Sequence, residues 1–146
     1  MNREQVQKQL AVDEGIVNEI YLDHLGYATF GIGHLITDKD PEQGCDVGTP
    51  ISEERVTEAF QADLDIAIGE CKVLFDMWET YPGEVQEILV NMMFNLGRPR
   101  LSGFKNFKKA VDAGDWAKAG VEGRDSKWHK QVSNRAERLM VRMENV

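Results

Sequence analysis

The chain has 146 residues, 42% of them hydrophobic, with 25 acidic against 17 basic side chains and a formal net charge of -8. A chain of this size buries roughly two thirds of its unfolded surface, which suits one compact domain, and no like-charge block or low-complexity tract marks a disordered tail. The negative charge argues against a nucleic-acid partner, whose binding rests on clustered Lys and Arg, and no stretch approaches the roughly 18 apolar residues of a membrane span.

Residues 3 to 14 carry helix formers and stop at Gly15, which predicts a short N-terminal helix with Glu14 at its end. This first segment is polar, with Arg3, Glu4 and Lys8 and no apolar signal core, so the chain is expected to stay where it is made. From Ile16 to Ile36 the composition turns β-branched and aromatic, with glycines at Gly26, Gly31 and Gly33, and reads as a hairpin or small antiparallel sheet. Gly31-Ile32-Gly33 lacks the third glycine and the setting of a dinucleotide fingerprint, so its glycines are read as permitting a tight turn.

Thr37 to Pro50, rich in Asp, Gly and Pro, is expected to be a loop. Ser52 reads as an N-cap, and Val56, Ala59, Phe60, Leu64, Ala67, Ile68 and Cys71 recur at helical spacing after it, with Gly69 placed to bend or weaken the far end. Val85, Ile88, Leu89, Met92, Met93 and Leu96 form a second stripe, a core helix stopped by Gly97 and Pro99. Shorter helical segments follow around 104–113, 116–121 and 126–131, then a last helix from about Ser133 built on Ala136, Leu139, Met140 and Met143.

The expected architecture is α+β and mostly helical. A β-bearing N-terminal lobe (about 1–51) is joined by a long helix (about 52–70) to a helical lobe (about 71–146), and the two lobes leave a cleft for an extended polymer. Cys45 and Cys71 are too few for a disulfide framework and are read as free thiols. His24, His34 and His129 form no metal-ligand pattern, so neither a metal nor another cofactor is expected. Catalysis then falls to ordinary side chains.

Any one acidic residue is most simply a solvated surface charge, and only position distinguishes three residues here. Glu14 ends the first helix, Asp23 ends the first strand and Thr29 lies on the return strand. With His24-Leu25-Gly26 as the turn, Asp23 pairs with Tyr27, and Thr29 lies diagonally on the same face. Glycosidic cleavage needs a protonated carboxyl for the leaving oxygen and a second carboxylate to activate water or attack the sugar. A hydroxyl beside that second carboxylate can hold the water.

The segments Asp13-Glu14-Gly15, Tyr21-Leu22-Asp23 and Gly26 to Leu35 resemble the signature of phage-type lysozymes, glycoside hydrolase family 24. The spacing E-x8-D-x5-T is met in full, and weaker similarity continues through Asn91 to Gly97, Gly103-Phe104, Trp128 and Ser133 to Arg138. The resemblance implies hydrolysis of the β-1,4 bond between N-acetylmuramic acid and N-acetylglucosamine in bacterial peptidoglycan, with inversion. It implies Glu14 as general acid, Asp23 as the carboxylate that orients water, Thr29 as its helper, and Arg135 as an ion partner of Glu14. Asn95 is expected on the substrate side together with Leu35 and Phe94.

His34 is readable as a catalytic base, but Asp63 lies on an apolar helix face where a carboxylate needs a partner, and a structural His34–Asp63 pair answers both. The resemblance implies the same pair. Trp78, Trp116 and Trp128 are read as core rather than as sugar platforms, and His24 as an exposed turn residue. Two departures from the family are the acidic charge, since its best-known members are basic, and an end at Val146 without the final helical extension of some relatives.

The resulting expectation is a monomeric endolysin, held in the host cytoplasm until a separate holin-type pore releases it onto the wall, with no stable membrane association. A tail-associated lysozyme and a non-catalytic wall-binding domain are the alternatives, and the intact Glu14, Asp23 and Thr29 speak against the latter.

Overall fold

The computed structural model describes residues 1–146. In chain order it contains α1 (Arg3–Glu14), β1 (Val17–Leu22), β2 (Ala28–Gly31), β3 (His34–Leu35), α2 (Glu53–Leu74), α3 (Gly83–Ser102), α4 (Lys105–Asp112), α5 (Trp116–Arg124), α6 (Lys127–Gln131) and α7 (Ser133–Glu144). The class is α+β and mostly helical, as the apolar spacing indicates.

The chain divides into two compact units, one of residues 4–65 and one of residues 1–3 with 66–146; the division falls inside α2. In the first unit β1, β2 and β3 form an antiparallel sheet in that order, with Tyr21 opposite Thr29, Leu22 opposite Ala28 and Thr29 opposite Leu35. Of the two expected forms, hairpin or small antiparallel sheet, the strand His34–Leu35 makes it the sheet, and an isolated bridge between Glu19 and Pro50 ties the following loop back to β1. Ile20 and Phe30 turn to the core, where Val6, Leu10, Val56 and Phe60 are also buried. Alternation along the strands therefore sends Tyr21, Asp23 and Thr29 to the other face.

In the second unit α3 carries Val85, Ile88, Leu89, Met92 and Met93 into the core, joined by Leu139, Met140 and Met143 of α7. Gly97, at φ 76° and ψ 160°, breaks α3 where the sequence places its stop; the chain then resumes a short helical stretch to Ser102 with Pro99 in its first turn, a position that needs no intrahelical N–H donor. This restart lies beyond the stop that Gly97 and Pro99 signal in the sequence. The Ser52-capped helix, expected over about 52–70 with Cys71 on its stripe, continues unbroken through Gly69 to Leu74. A single 3-10 turn, Trp78–Thr80, lies outside the expected elements.

Helices α5, α6 and α7 are tied by charge as well as by packing. Arg124 Nε and His129 Nε2 both reach Glu137, at 2.9 and 2.8 Å, and these partners hold its carboxyl down at about 2. Cys71 is buried and Cys45 exposed, both free; burial pushes the Cys71 thiol up to about 12. No helix is long and apolar enough to cross a membrane.

Candidate active site

The hairpin turn fixes two of the three candidate catalytic side chains through one residue, Tyr27. Asp23 N–H donates to the Tyr27 carbonyl (2.9 Å) and Gly26 N–H to the Asp23 carbonyl (2.9 Å), closing the turn His24-Leu25-Gly26 in the register expected from the sequence. Asp23 Oδ1 accepts from the amides of Leu25 and Tyr27, both at 2.9 Å. One carboxylate oxygen is thus committed to main chain, in an Asx-type turn, and Oδ2 is left for other work.

Thr29 is only 4% exposed. Its Oγ1 donates its one proton to the same Tyr27 carbonyl, at 2.9 Å, so both lone pairs of Oγ1 can accept. A water placed between Asp23 and Thr29 therefore meets acceptors on both and can give each a proton. Tyr21, Thr29 and Leu35 form a row across the three strands, with Leu35 48% exposed at its edge.

Glu14 is half-buried at the end of α1. A side-chain carbon at Gly33 would stand 3.4 Å from Glu14 Oε2, which puts the carboxylate against the β2–β3 turn. Gly33 has φ 64°, a backbone conformation open chiefly to glycine. Tyr21 senses both carboxylates: burial first, then the charges of Glu14 and Asp23, raise its phenol above the ordinary value. Glu14, Tyr21, Asp23 and Thr29 accordingly form one cluster within residues 4–65.

His34, on the opposite side of β3, is held at both ring nitrogens: Nδ1 lies 2.7 Å from Asp63 Oδ2 of α2 and Nε2 lies 3.0 Å from Asp40 Oδ2 of the following loop. The structure brings His34 and Asp63 together and adds a partner that the sequence did not reveal. The Asp63 hydrogen bond is the largest influence on His34 and raises its pKa against the opposing effect of burial; Asp40 adds to the rise. Burial works against the Asp40 charge, but the Thr37 amide, His34 and Arg55 outweigh it and hold the carboxyl below its usual range. Arg55 extends the network to Asp40 (3.0 Å) and Glu42 (2.8 Å), and its guanidinium sits 5.5 Å from the centre of the Phe30 ring. Both nitrogens of His34 are engaged, which suits a brace better than a base.

The remaining candidates belong to the helical unit. Asn95, half-buried on α3, accepts a hydrogen bond from Trp128 Nε1 at 2.8 Å, and Phe94 beside it is half-buried. Arg135 is 9% exposed; its Nε donates to Asn91 Oδ1 (2.8 Å) and its guanidinium also reaches the Asn91 carbonyl at 3.3 Å. Trp78 and Trp128 are buried, as read, while Trp116 is half-exposed and packs edge-on against Tyr81 at 5.3 Å. Tyr21 and Asp40 were the omissions: the one stood in the quoted motif without a role, the other lay in a loop that periodicity cannot interpret.

Residues 11–145 match the family model described as phage lysozyme. The pre-baseplate central spike protein Gp5 of Enterobacteria phage T4 is 30% identical over 150 residues, covering 90% of this chain and 26% of that protein. Probable T4-type lysozyme 1 of Dictyostelium discoideum is 30% identical over 155 residues, 92% of this chain and 91% of that protein. Peptidoglycan hydrolase gp36 of Pseudomonas phage phiKMV is 32% identical over 139 residues, 94% of this chain and 15% of the other. The chain thus spans about a quarter or less of the two longer phage proteins and about nine tenths of the Dictyostelium lysozyme. By the match over residues 11–145 and that last coverage, the chain belongs to the phage lysozyme family and is a lysozyme, a glycoside hydrolase of peptidoglycan.

Proposed function

We propose that the chain cleaves the β-1,4 bond between N-acetylmuramic acid and N-acetylglucosamine by inversion, with Glu14 as general acid and Asp23 and Thr29 holding the attacking water. The observation that supports this most is the double use of Tyr27, whose amide fixes Asp23 Oδ1 and whose carbonyl takes the Thr29 proton. Glu14 protonates the glycosidic oxygen as its bond to the anomeric carbon breaks. The water adds its oxygen to that carbon from the opposite face and passes a proton to Asp23 Oδ2, whence it returns to solvent as Glu14 is reprotonated. One water is consumed and two glycan ends are made.

The roles of Leu35, Phe94 and Asn95 as glycan contacts, and of Arg135 as a holder of Glu14, rest on the family resemblance alone. The reading extends to a monomeric endolysin that lyses the host after a holin-type pore opens, without a nucleic-acid partner. The likeness to the T4 central spike protein favours a second reading, in which the same chemistry works from a phage tail at entry.

Purified peptidoglycan treated with wild type and with Glu14→Gln tests the chemistry. The amide keeps the shape but cannot donate the proton, so clearing should fall by a factor of about 100 or more, with folding unchanged by circular dichroism. Asp23→Asn should be similarly impaired. The first product, read by nuclear magnetic resonance before mutarotation, should be the α anomer. Substantial clearing by pure Glu14→Gln removes that residue from its role, and a β product replaces the held water with direct attack by Asp23.

A further inference from the structure

We infer that Tyr21 is an additional substrate-contacting residue, whose phenol hydroxyl donates a hydrogen bond to the sugar undergoing cleavage. This rests on the reading of Glu14, Asp23 and Thr29 as the reacting cluster. Tyr21 stands directly opposite Thr29 in the β1–β2 register and two residues before Asp23 on the same strand, so all three side chains leave the same face of the sheet. The ring is longer than either neighbour. Its hydroxyl can therefore reach further along that face than Thr29 Oγ1 or the Asp23 carboxylate.

The polar commitments around it point the same way. Thr29 gives its proton to Tyr27, and Asp23 Oδ1 is occupied by two amides, so neither offers a donor to the sugar. No hydrogen bond within the protein engages the Tyr21 hydroxyl. With the Glu14 proton spent on the glycosidic oxygen, a half-buried phenol with no protein partner, flanked by two carboxylates, is the donor left to hold the sugar itself. Burial and the two negative charges keep it protonated across the neutral range, so the donor is present whenever the carboxylates are at work. Peptidoglycan sugars offer hydroxyl, ring and acetamido oxygens as acceptors.

Tyr21→Phe removes the oxygen and leaves the ring packed over the sheet. Turnover of a soluble peptidoglycan fragment by wild type, Glu14→Gln and Tyr21→Phe should show Tyr21→Phe reduced in kcat/KM by about tenfold or more, the worth of one lost hydrogen bond in a confined site. Its Tm should match wild type and its pH optimum should not move. A kcat/KM within twofold of wild type overturns the inference, while the loss in Glu14→Gln still stands for the reaction itself. A loss accompanied by a Tm several degrees lower makes Tyr21 a packing residue. A shift in the acid limb of the pH profile, with the rate at the optimum unchanged, makes it a residue acting through Glu14. An inert wild type fails the parent reading and takes the inference with it.

Discussion

At the scale of single residues, His34 is the side chain whose environment departs most from what a lone sequence position suggests. With a carboxylate on each ring nitrogen, its pKa is raised, and the sign of the linkage follows. The pairing stabilises the fold in full below the unfolded value of about 6.5 and is lost as pH rises through the higher folded value. Asp63→Asn should therefore lower stability by about 1–2 kcal/mol near pH 5.5, a figure reduced for the residual exposure of the pair. The deficit should narrow near pH 9. Thermal melts of both proteins at the two pH values check this, and a deficit that widens with pH would contradict the assigned sign. His34 itself was legible because Asp63 falls on an apolar helix face; Asp40 was not, because a loop carries no period by which to place a partner.

At the scale of elements, two glycines in helices make opposite predictions. Gly69 in α2 has no atom within 4 Å of where a side chain would begin and has ordinary helical backbone, so Gly69→Ala should raise stability by about 0.5–1 kcal/mol through lost unfolded-state freedom. Gly123 in α5 faces the Met140 side chain of α7, and Gly120 faces Glu144. There a new methyl would collide with Met140, and Gly123→Ala should lower stability by about 1–3 kcal/mol despite the better propensity. Melting temperatures moving in the same direction for the two variants would defeat this reading. The contrast also explains what sequence reading could reach. Apolar stripes gave α2, the first part of α3, and α7, and the composition change gave the sheet. The cost of one glycine is small beside the burial of Cys71 further along α2, so the helix passes Gly69, expected to bend or weaken its far end, and runs on to Leu74. The Trp78–Thr80 turn is too short to carry a period, and the helical stretch after Gly97 lies behind residues that ordinarily end one. Of the candidate site, the turn and its register were readable because three residues between β-type segments fix a hairpin, whereas the hydroxyl of Tyr21 acquires its surroundings only when α1 brings Glu14 to the sheet.

At the scale of the molecule, the net charge of -8 sets how the enzyme meets its polymer. Peptidoglycan carries carboxylates on its peptide stems, so approach is opposed at long range, and salt screens that repulsion over a Debye length of about 10 Å at 0.1 M. Initial clearing rates should rise between roughly 10 and 200 mM salt; a steep fall would mean that local positive charge governs encounter. The division of the chain into units has a different consequence, one of order in time. Residues 1–3 belong with residues 66–146, and Asn2 N–H donates to Glu87 Oε2 across 85 positions. Residues 4–65 are therefore an insertion, in sequence, within the helical unit. As the ribosome delivers the chain, the three-stranded sheet and every residue that holds Asp23 and Thr29 are complete before Glu87 exists, while the first three residues must wait for it.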